Sequence, residues 1–567
     1  MKKVAKYFLF FLMVCIAILL MSLIGITIYT LTGDDEQPIN QVDTTLYKVS
    51  YENQYQMCHQ SRLRRASNGY YELYLQGDAL ERGLTFGALM QKELLYQETV
   101  FIDQIQQIIP NKHYLRFLYW VTQFFNRNLA SYITKEQREQ IYGVAQFCTH
   151  DYDVLGTPYQ RQLNYHGAHD IGHTLQDYML VGCSSFAAWD QATQDSTLII
   201  GRNFDFYVGD DFAKNKIILV ENPSTGYPFI SVTWPGMIGV LSGMNSKGLT
   251  VTINAAKGSM PRMAAMPISL LAREILQYAS TIDEAYAIAK KQHTFVSESL
   301  LIGSRLDHRA AIIEKSPDKI ALYDPSNHSK IRKSKLNRLN VGENAIICTN
   351  HYQSESFAQD VSNLENIKNS DSQSRWLRIQ ELLNDSIPLN PIRAVEILRD
   401  TLGLNNQKIG LTNELALNQC IAHHSVVFQP EKGRMWVSTS PWQFGSYVCY
   451  ELPTILKQKD FSKEWSNTRL KIEKTNFVSS KRYDQLLQYK RLQKEIKALS
   501  VPKDTLLATF QSLNPSYYYT YQIIGDYYHR MHKDSLAIQA YQKALTLPIG
   551  KKAESLHIKE KIQQLEK

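Results

Sequence analysis

Cysteine is scarce in this chain: seven residues in 567, at irregular spacing (Cys15, Cys58, Cys148, Cys183, Cys348, Cys420 and Cys449). No Cys-x-x-Cys pair occurs, and the spacing supplies no disulfide framework. A strong charge imbalance is missing too, because 62 basic against 54 acidic residues leave a formal +8 spread along the sequence. So mild an excess argues against nucleic acid as a partner. Disorder is excluded by 44% hydrophobic and 11% aromatic content, ample for a buried core in two or three domains.

Charge is absent altogether from residues 7–33, a run of 27 positions, and about 20 apolar residues suffice to cross a bilayer. Lys2, Lys3 and Lys6 precede it and Asp34, Asp35 and Glu36 follow. The positive-inside rule then keeps the N-terminus in the cytoplasm and puts the remainder outside. An A-x-A cleavage site is lacking, and Cys15 lies deep in the run with Ile16 after it. The expectation is therefore an uncleaved single-pass anchor, with the catalytic part on the extracytoplasmic (periplasmic or extracellular) side.

What the chain does have is Gly182-Cys183, followed nineteen positions later by Gly201-Arg202-Asn203-Phe204-Asp205-Phe206. A free cysteine is ordinarily a small buried hydrophobe. In this company Cys183 reads instead as a nucleophile that becomes a new chain N-terminus when the 182–183 bond is cut. Its own α-amino group, with a pKa of about 7.7 to 8.0, would then serve as the base, and no histidine partner is required. Glycine at 182 is expected to admit strained backbone angles and let the thiol reach the preceding carbonyl for an N-to-S acyl shift.

Downstream come Gly243-Met244-Asn245-Ser246-Lys247-Gly248-Leu249, a β-rich run ending at Asn254, then Thr349-Asn350-His351 and Ser372-Gln373-Ser374-Arg375. In this order the motifs resemble the N-terminal-nucleophile (Ntn) hydrolases, most of all the isopenicillin-N acyltransferase (acyl-CoA:6-aminopenicillanic acid acyltransferase) family. A second likeness is to choloylglycine hydrolases and penicillin V acylases. The resemblance opens near Leu75-Gln76-Gly77 and Glu81-Arg82-Gly83 and runs to about Leu452. It implies that Asp205 holds the Cys183 amine, that Arg202 steadies the thiolate, and that Asn254 and Asn350 form an oxyanion hole. Arg375 would pair with Asp205 or with a substrate carboxylate. The resemblance also implies an α+β fold, a four-layer αββα Ntn-hydrolase sandwich, and no cofactor.

At the C-terminus, Tyr521, Ile524, Gly525, Tyr528, Ala537, Tyr541, Ala544 and Pro548 follow the pattern of a tetratricopeptide unit. One such unit cannot bury its own face, so flanking helices at about 483–499 and 551–566 should complete a small α-helical region. That region would act as a cap or as a platform for a protein partner. The domain division expected is 1–33 cytoplasmic tip and anchor, 34–182 linker and pre-nucleophile segment, 183–455 catalytic core, and 456–567 tetratricopeptide-like region. His166, His169, Asp170 and His173 have the spacing of helical zinc ligands. The chemistry needs no metal, and their place just before the cleavage point suits assistance to cleavage or a helix cap, so no metal is expected.

The function expected is an autoproteolytically activated N-terminal-cysteine amidohydrolase or acyltransferase, acting on a small N-acyl amide through an acyl-cysteine thioester. Hydrolysis is favoured over transfer because coenzyme A thioesters are scarce outside a membrane. The alternative is a membrane-tethered helical-repeat scaffold with an inactive hydrolase-like domain, against which stands the full set of Cys183, Arg202, Asp205, Asn254, Asn350 and Arg375.

Overall fold

The computed structural model describes residue 38 and residues 41–567 except 53, 175–180, 208, 259–263, 326–342, 386 and 499–503. Its first strands lie upstream of Cys183, where Ser50–Glu52, Tyr55–Cys58, Ser61–Arg65 and Tyr71–Gly77 form a meander. Tyr71–Gly77 then pairs in parallel with Ile217–Pro223, from Tyr71↔Ile217 to Gly77↔Pro223. Phe229–Thr233, Ser242–Asn245, Leu249–Ala255, Glu298–Ser304, Arg309–Lys315 and Ile320–Tyr323 extend the row antiparallel to make an eleven-stranded sheet. Segments on both sides of the expected cleavage point thus share one hydrogen-bonded ladder.

The second sheet has seven strands. Val181–Asp190 lies between Ala345–Cys348 and Ser196–Phe206, and the row continues through His424–Gln429, Arg434–Ser438, Tyr447–Glu451 and Ser466–Ile472. The central strands of both sheets are buried on both faces, which is why runs such as Ile217-Ile218-Leu219-Val220 read as continuously apolar rather than alternating. Between the sheets, Ile218, Val220, Ile230, Leu301 and Ile312 of one meet Leu198, Ile200, Val426, Phe428 and Val437 of the other. Outside the larger sheet, helices Ala79–Ile108, Lys135–Ala145 and Ile268–Tyr278 cover Leu73, Leu219, Val251 and Ile302. Beyond the smaller one, Ile379, Val395 and Leu398 cover Phe186, Ile199, Val427 and Trp436. Helix, sheet, sheet and helix make four layers.

Helices Lys481–Ala498, Asp504–Leu513, Tyr518–Arg530, Asp534–Leu545 and Lys552–Leu565 share a core of their own. Small packs against large there: a Cβ on Gly525 would lie 2.4 Å from the Tyr541 ring. The bundle is tied to the catalytic layers by Asn514, whose Oδ1 accepts from the Leu411 amide at 3.1 Å and whose Nδ2 donates to the Leu411 carbonyl at 2.9 Å.

Among the described residues no helix is long and apolar enough to cross a membrane. The expected fold class and localisation are corrected accordingly, because the single-pass anchor and the extracytoplasmic placement have no such helix to rest on. The longest described helix, Ala79–Ile108 at 30 residues, is interrupted by Glu81, Arg82, Lys92, Glu93, Glu98 and Asp103. The charge-free run at 7–33 lies outside the described residues. The preference for hydrolysis over transfer rested on that anchor and lapses with it. The six described cysteines are all free thiols.

A buried carboxylate binds the upstream segment to the core. Glu221, fully buried, accepts from Arg273 Nη2 at 2.8 Å and Gln140 Nε2 at 3.1 Å, and lies 3.0 Å from Arg82 Nε. Glu221→Gln leaves two buried guanidinium groups without their shared counter-charge and should cost about 3–5 kcal/mol of stability in denaturant titration. A loss below about 1 kcal/mol, the size of an ordinary surface change, would contradict this account.

Candidate functional site

The centre of the site is the antiparallel pairing of Val181–Asp190 with Ser196–Phe206, in which Gly182 faces Asp205, Cys183 faces Phe204 and Ser185 faces Arg202. Side chains alternate across a strand. The register therefore sends Cys183, Ser185, Arg202 and Phe204 into the space between the sheets, and Ser184, Asn203 and Asp205 toward the helices outside. Gly182 belongs to this ladder and is not among the positive-φ glycines, so the strained angles expected of it are not found. Pairing with Asp205 holds it extended.

On the inner face, Arg202 Nη2 lies 3.7 Å from Cys183 Sγ and also donates to the Ile253 carbonyl. Its Nη1 donates to the Leu241 carbonyl at 3.0 Å and to Ser242 Oγ at 2.5 Å. Ser242 Oγ is in turn 2.8 Å from His424 Nε2, so the guanidinium is clamped against the thiol. Burial pushes the Cys183 thiol up and the Arg202 charge pulls it down, burial being the larger effect. Asn254 accepts from Ser185 Oγ at 3.0 Å, while its Nδ2 donates to the Cys348 carbonyl at 2.9 Å and lies 3.4 Å from that of Thr349. Its donors are spent on the strand leading to Asn350.

Asn350 sits at the strand edge. Its Oδ1 accepts from the Cys183 amide at 3.0 Å and from Arg375 Nη2 at 2.6 Å, and its Nδ2 donates to the Ala255 carbonyl at 2.8 Å. Two donors aimed at one oxygen fix which way this amide points. Arg375 comes from helix Ser372–Leu383 on the outer side and donates through Nη1 to the Cys183 carbonyl at 2.6 Å and to Ser184 Oγ at 2.9 Å. Its ion pair is with Asp371, 2.8 Å from Nε, rather than with Asp205. The two are one helical turn apart and meet on the same face.

Asp205 is the odd member. It is fully buried, and neither carboxylate oxygen has a partner in hydrogen-bond geometry, though the buried Gln443 amide lies near enough to favour its charged form. Burial outweighs the nearby Arg375 and Arg202 and pushes its pKa up to about 8. Cys183, Arg202, Asn350 and Arg375 are linked by direct contacts, Asn254 joins them through Ser185 and the Cys348 and Thr349 carbonyls, and Asp205 stands behind the 182–183 bond by strand register.

Of the histidine cluster only His166 has a described side chain, and among the described residues no group of three or more His, Cys, Asp or Glu side chains could hold a metal ion. His166 Nδ1 donates to the Gln162 carbonyl at 2.7 Å and Nε2 accepts from the Ile238 amide at 3.0 Å, so both ring nitrogens are committed. Burial lowers its pKa to about 4 and keeps it neutral. His169, Asp170 and His173 belong to helix Pro158–Thr174, but their side chains lie outside the described residues. Asp371, Ser185, Ser242 and His424 are site members that sequence reasoning missed as such.

Comparison with known proteins locates this arrangement. Residues 192–440 match the acyl-coenzyme A:6-aminopenicillanic acid acyl-transferase family. The matched segment begins after Cys183 and takes in Arg202, Asp205, Asn254, Asn350 and Arg375. It makes the coarse function acyl-group chemistry of the acyltransferase or hydrolase type. An uncharacterized protein of Archaeoglobus fulgidus is 24% identical over 430 residues, 71% of this chain and 68% of its own length. Protein dcd1B of Dictyostelium discoideum is 26% identical over 277 residues, 46% of this chain and 53% of its own length. Among solved structures, a Caenorhabditis elegans ortholog of N-acylethanolamine-hydrolyzing acid amidase is 18% identical, covering 44% of this chain and 93% of its own, at a TM-score of 0.30. A mutant of the conjugated bile acid hydrolase of Clostridium perfringens is 14% identical, covering 50% and 95%, at 0.31. Likenesses at such TM-scores carry no argument for this chain.

The buried Asp205 makes the uncut chain sensitive to pH. A carboxyl raised from 3.8 to about 8 binds a proton in the folded state that the unfolded state has lost, so stability falls as pH climbs through that window, by about 1.4 kcal/mol per unit. In a Cys183→Ala chain, Asp205→Asn should flatten this slope and raise stability above neutral pH, measured by denaturant titration at several pH values. An unchanged slope would mean that Asp205 is already charged and paired.

Proposed function

We propose that the chain is an N-terminal-cysteine enzyme, activated by its own cleavage between Gly182 and Cys183, that draws the acyl group of an N-acyl amide onto Cys183 and passes it to water or to an amine. The observation that carries this reading is Asp205, a buried carboxylate with no partner in hydrogen-bond geometry, opposite Gly182 and beside a thiol held against Arg202. A carboxylate so buried is costly unless a cation comes to it. Cleavage at 182–183 creates one, the α-ammonium of Cys183.

In the maturation step, Cys183 Sγ attacks the Gly182 carbonyl carbon, the carbon–nitrogen bond breaks, and the nitrogen takes the thiol proton. Water then hydrolyses the thioester, leaving a Gly182 carboxylate and a free Cys183 thiol and amine. In turnover the amine accepts the thiol proton, Sγ attacks the substrate carbonyl, and the proton passes to the departing amine. Arg202 supports the thiolate, the Asn350 amide is the candidate donor to the developing oxyanion, and Asn254 braces the Thr349-Asn350 segment. Arg375 fixes the Cys183 carbonyl, and through it the position of the nucleophile. An inactive scaffold would have no use for a cysteine so closely bound by this set.

A mainly apolar cavity, walled by Leu94, Phe101, Phe206, Phe212, Trp234 and Met237 with Gln97, Glu98, Gln162, Tyr165 and His166 also in its lining, supports an apolar acyl group. Phe206 stacks on Phe204, the cross-strand partner of Cys183, with ring centroids 5.5 Å apart, and so joins cavity to nucleophile. Leu94 and Phe101 belong to the upstream segment, so the two chains left by cleavage are expected to stay together.

The purified protein should yield a fragment beginning Cys183-Ser184-Ser185-Phe186 that co-purifies with its upstream partner, and Cys183→Ala should stay whole and inactive. Active enzyme with the 182–183 bond intact, seen by intact mass, would sink the self-cleavage claim. Asn350→Ala should lower turnover by about a hundredfold or more, the scale of losing one oxyanion donor, with the fold retained. Near-normal kcat in that variant would assign the oxyanion elsewhere.

A further inference from the structure

Behind Arg202 a buried row of polar groups runs on through Ser242 and His424 to His423. Ser242, on strand Ser242–Asn245, meets Arg202 Nη1 at 2.5 Å, and its Oγ lies 2.8 Å from His424 Nε2. His424 Nδ1 lies 3.0 Å from His423 Nδ1. All three are no more than 1% exposed. The row ends at His423, whose ring stands edge-on to Trp234, Phe212 and Phe204 at centroid distances of 5.1, 6.0 and 6.2 Å. Its Nε2 is buried with no hydrogen-bond partner among the described residues.

Donor and acceptor chemistry fixes each proton in this row. A guanidinium only donates, so Ser242 Oγ accepts from Arg202, and the serine's single hydrogen goes to His424 Nε2, which must be bare. A second contact demands the same. His424 Nε2 also lies 3.5 Å from Arg202 Nη1, where a ring N–H would oppose the guanidinium. Burial first, then neighbouring charge that includes Arg202 and Lys216, holds both rings well below the ordinary histidine pKa, so each carries one proton. His424 therefore bears its proton on Nδ1 and donates to His423 Nδ1. His423 bears its own on Nε2.

We propose that His424 is a positioning residue for Arg202, acting through Ser242, and that His423 holds it in the Nδ1–H tautomer. The inference rests on the reading of Cys183 as the nucleophile that Arg202 supports. Without an acceptor at His424 Nε2, the buried serine hydrogen would have to turn elsewhere, taking the oxygen lone pairs off Arg202. With it, Nη1 stays on Ser242 and Nη2 stays 3.7 Å from Cys183 Sγ. Ser242 belongs to the larger sheet, Arg202 and His424 to the smaller, so the row ties the guanidinium to both.

The test reads the tautomers and the thiol separately. With isotopically labelled histidine, nitrogen NMR of the whole chain should show an Nδ1–H that His424→Gln removes and an Nε2–H that His423→Gln removes. A proton on His424 Nε2 instead would overturn the proposal. Alkylation of Cys183 by iodoacetamide against pH, followed on its own peptide by mass spectrometry, reports the thiol. Arg202, Asp205, Glu298 and Arg375 act on that thiol and are unaltered in every variant, so a displaced profile reports where Arg202 stands. Ser242→Ala and His424→Ala should move the profile to higher pH. They should also lower kcat on N-decanoylethanolamine or N-decanoylglycine about tenfold, the fold-change of one lost hydrogen bond to a charged group, with KM within about twofold. His424→Gln, whose Oε1 can accept the serine hydrogen, should restore both. Unchanged thiol and kcat in the alanine variants, or no recovery in His424→Gln, overturns the positioning role. No turnover by the unaltered protein, with tautomers and thiol profiles as expected, overturns the amide reading and leaves that role standing.

Discussion

The interaction on which the chemistry depends is the register between Val181–Asp190 and Ser196–Phe206. With Cys183 opposite Phe204, the thiol turns inward to Arg202, while the amide and carbonyl of the same residue lie in reach of Asn350 and Arg375. A slip of one residue would send Sγ to the helix side and Gly182 out of line with Asp205. The register is held by more than the pair itself. Ala345–Cys348 flanks one side with Cys348 opposite Ser185, and His424–Gln429 flanks the other with Val426 opposite Arg202. An edge strand could not hold a nucleophile this way.

Such a site keeps charge where burial opposes it. Arg202, Asp205 and Arg375 are each no more than 1% exposed; each guanidinium so placed costs several kcal/mol before any partner is counted, and burial opposes ionisation of the Asp205 carboxyl by raising its pKa to about 8. The two arginines recover much of this through backbone carbonyls, serines and Asp371. Asp205 recovers least, since its opposing strand offers a glycine. Asp205 is therefore the least satisfied of the three, and on the proposed reading this would give cleavage at 182–183 a thermodynamic direction as well as a chemical route.

The inner and outer faces explain how far the sequence could be read. Motif order named Cys183, Arg202, Asp205, Asn254, Asn350 and Arg375 as candidates, and the resemblance carried by those motifs, rather than any local signal, implied four layers. Pairing was not legible. Arg202 and Asp205 are three apart, which says only that they leave a strand on opposite faces. That Arg375 would turn to Asp371 depends on its helix, and a motif that stops at Ser372 does not include the carboxylate one position before it. His166 looked like a ligand by spacing, yet its ring is consumed by Gln162 and Ile238, the second 72 residues away. The anchor was read from composition alone, which carries no information about packing.

The site is a composite of three stretches of chain. The upstream segment walls the apolar cavity, the segment matched to the acyltransferase family brings most of the polar residues, and the C-terminal bundle reaches, through Lys551, a polar cavity beside Asn350 and Arg375. Each stretch is fixed to the middle one by buried polar contacts: Arg82 and Gln140 on Glu221, Asn514 on Leu411, Gly550 and Tyr518 on Glu414. Contacts of this kind have narrow geometric tolerance, and leaving one partner buried and unpaired is expensive. They hold the outer pieces to positions rather than merely to a surface. Most of the polar residues around Cys183 thus belong to the middle segment, and the walls of the two cavities are completed by the flanks that the family match does not reach.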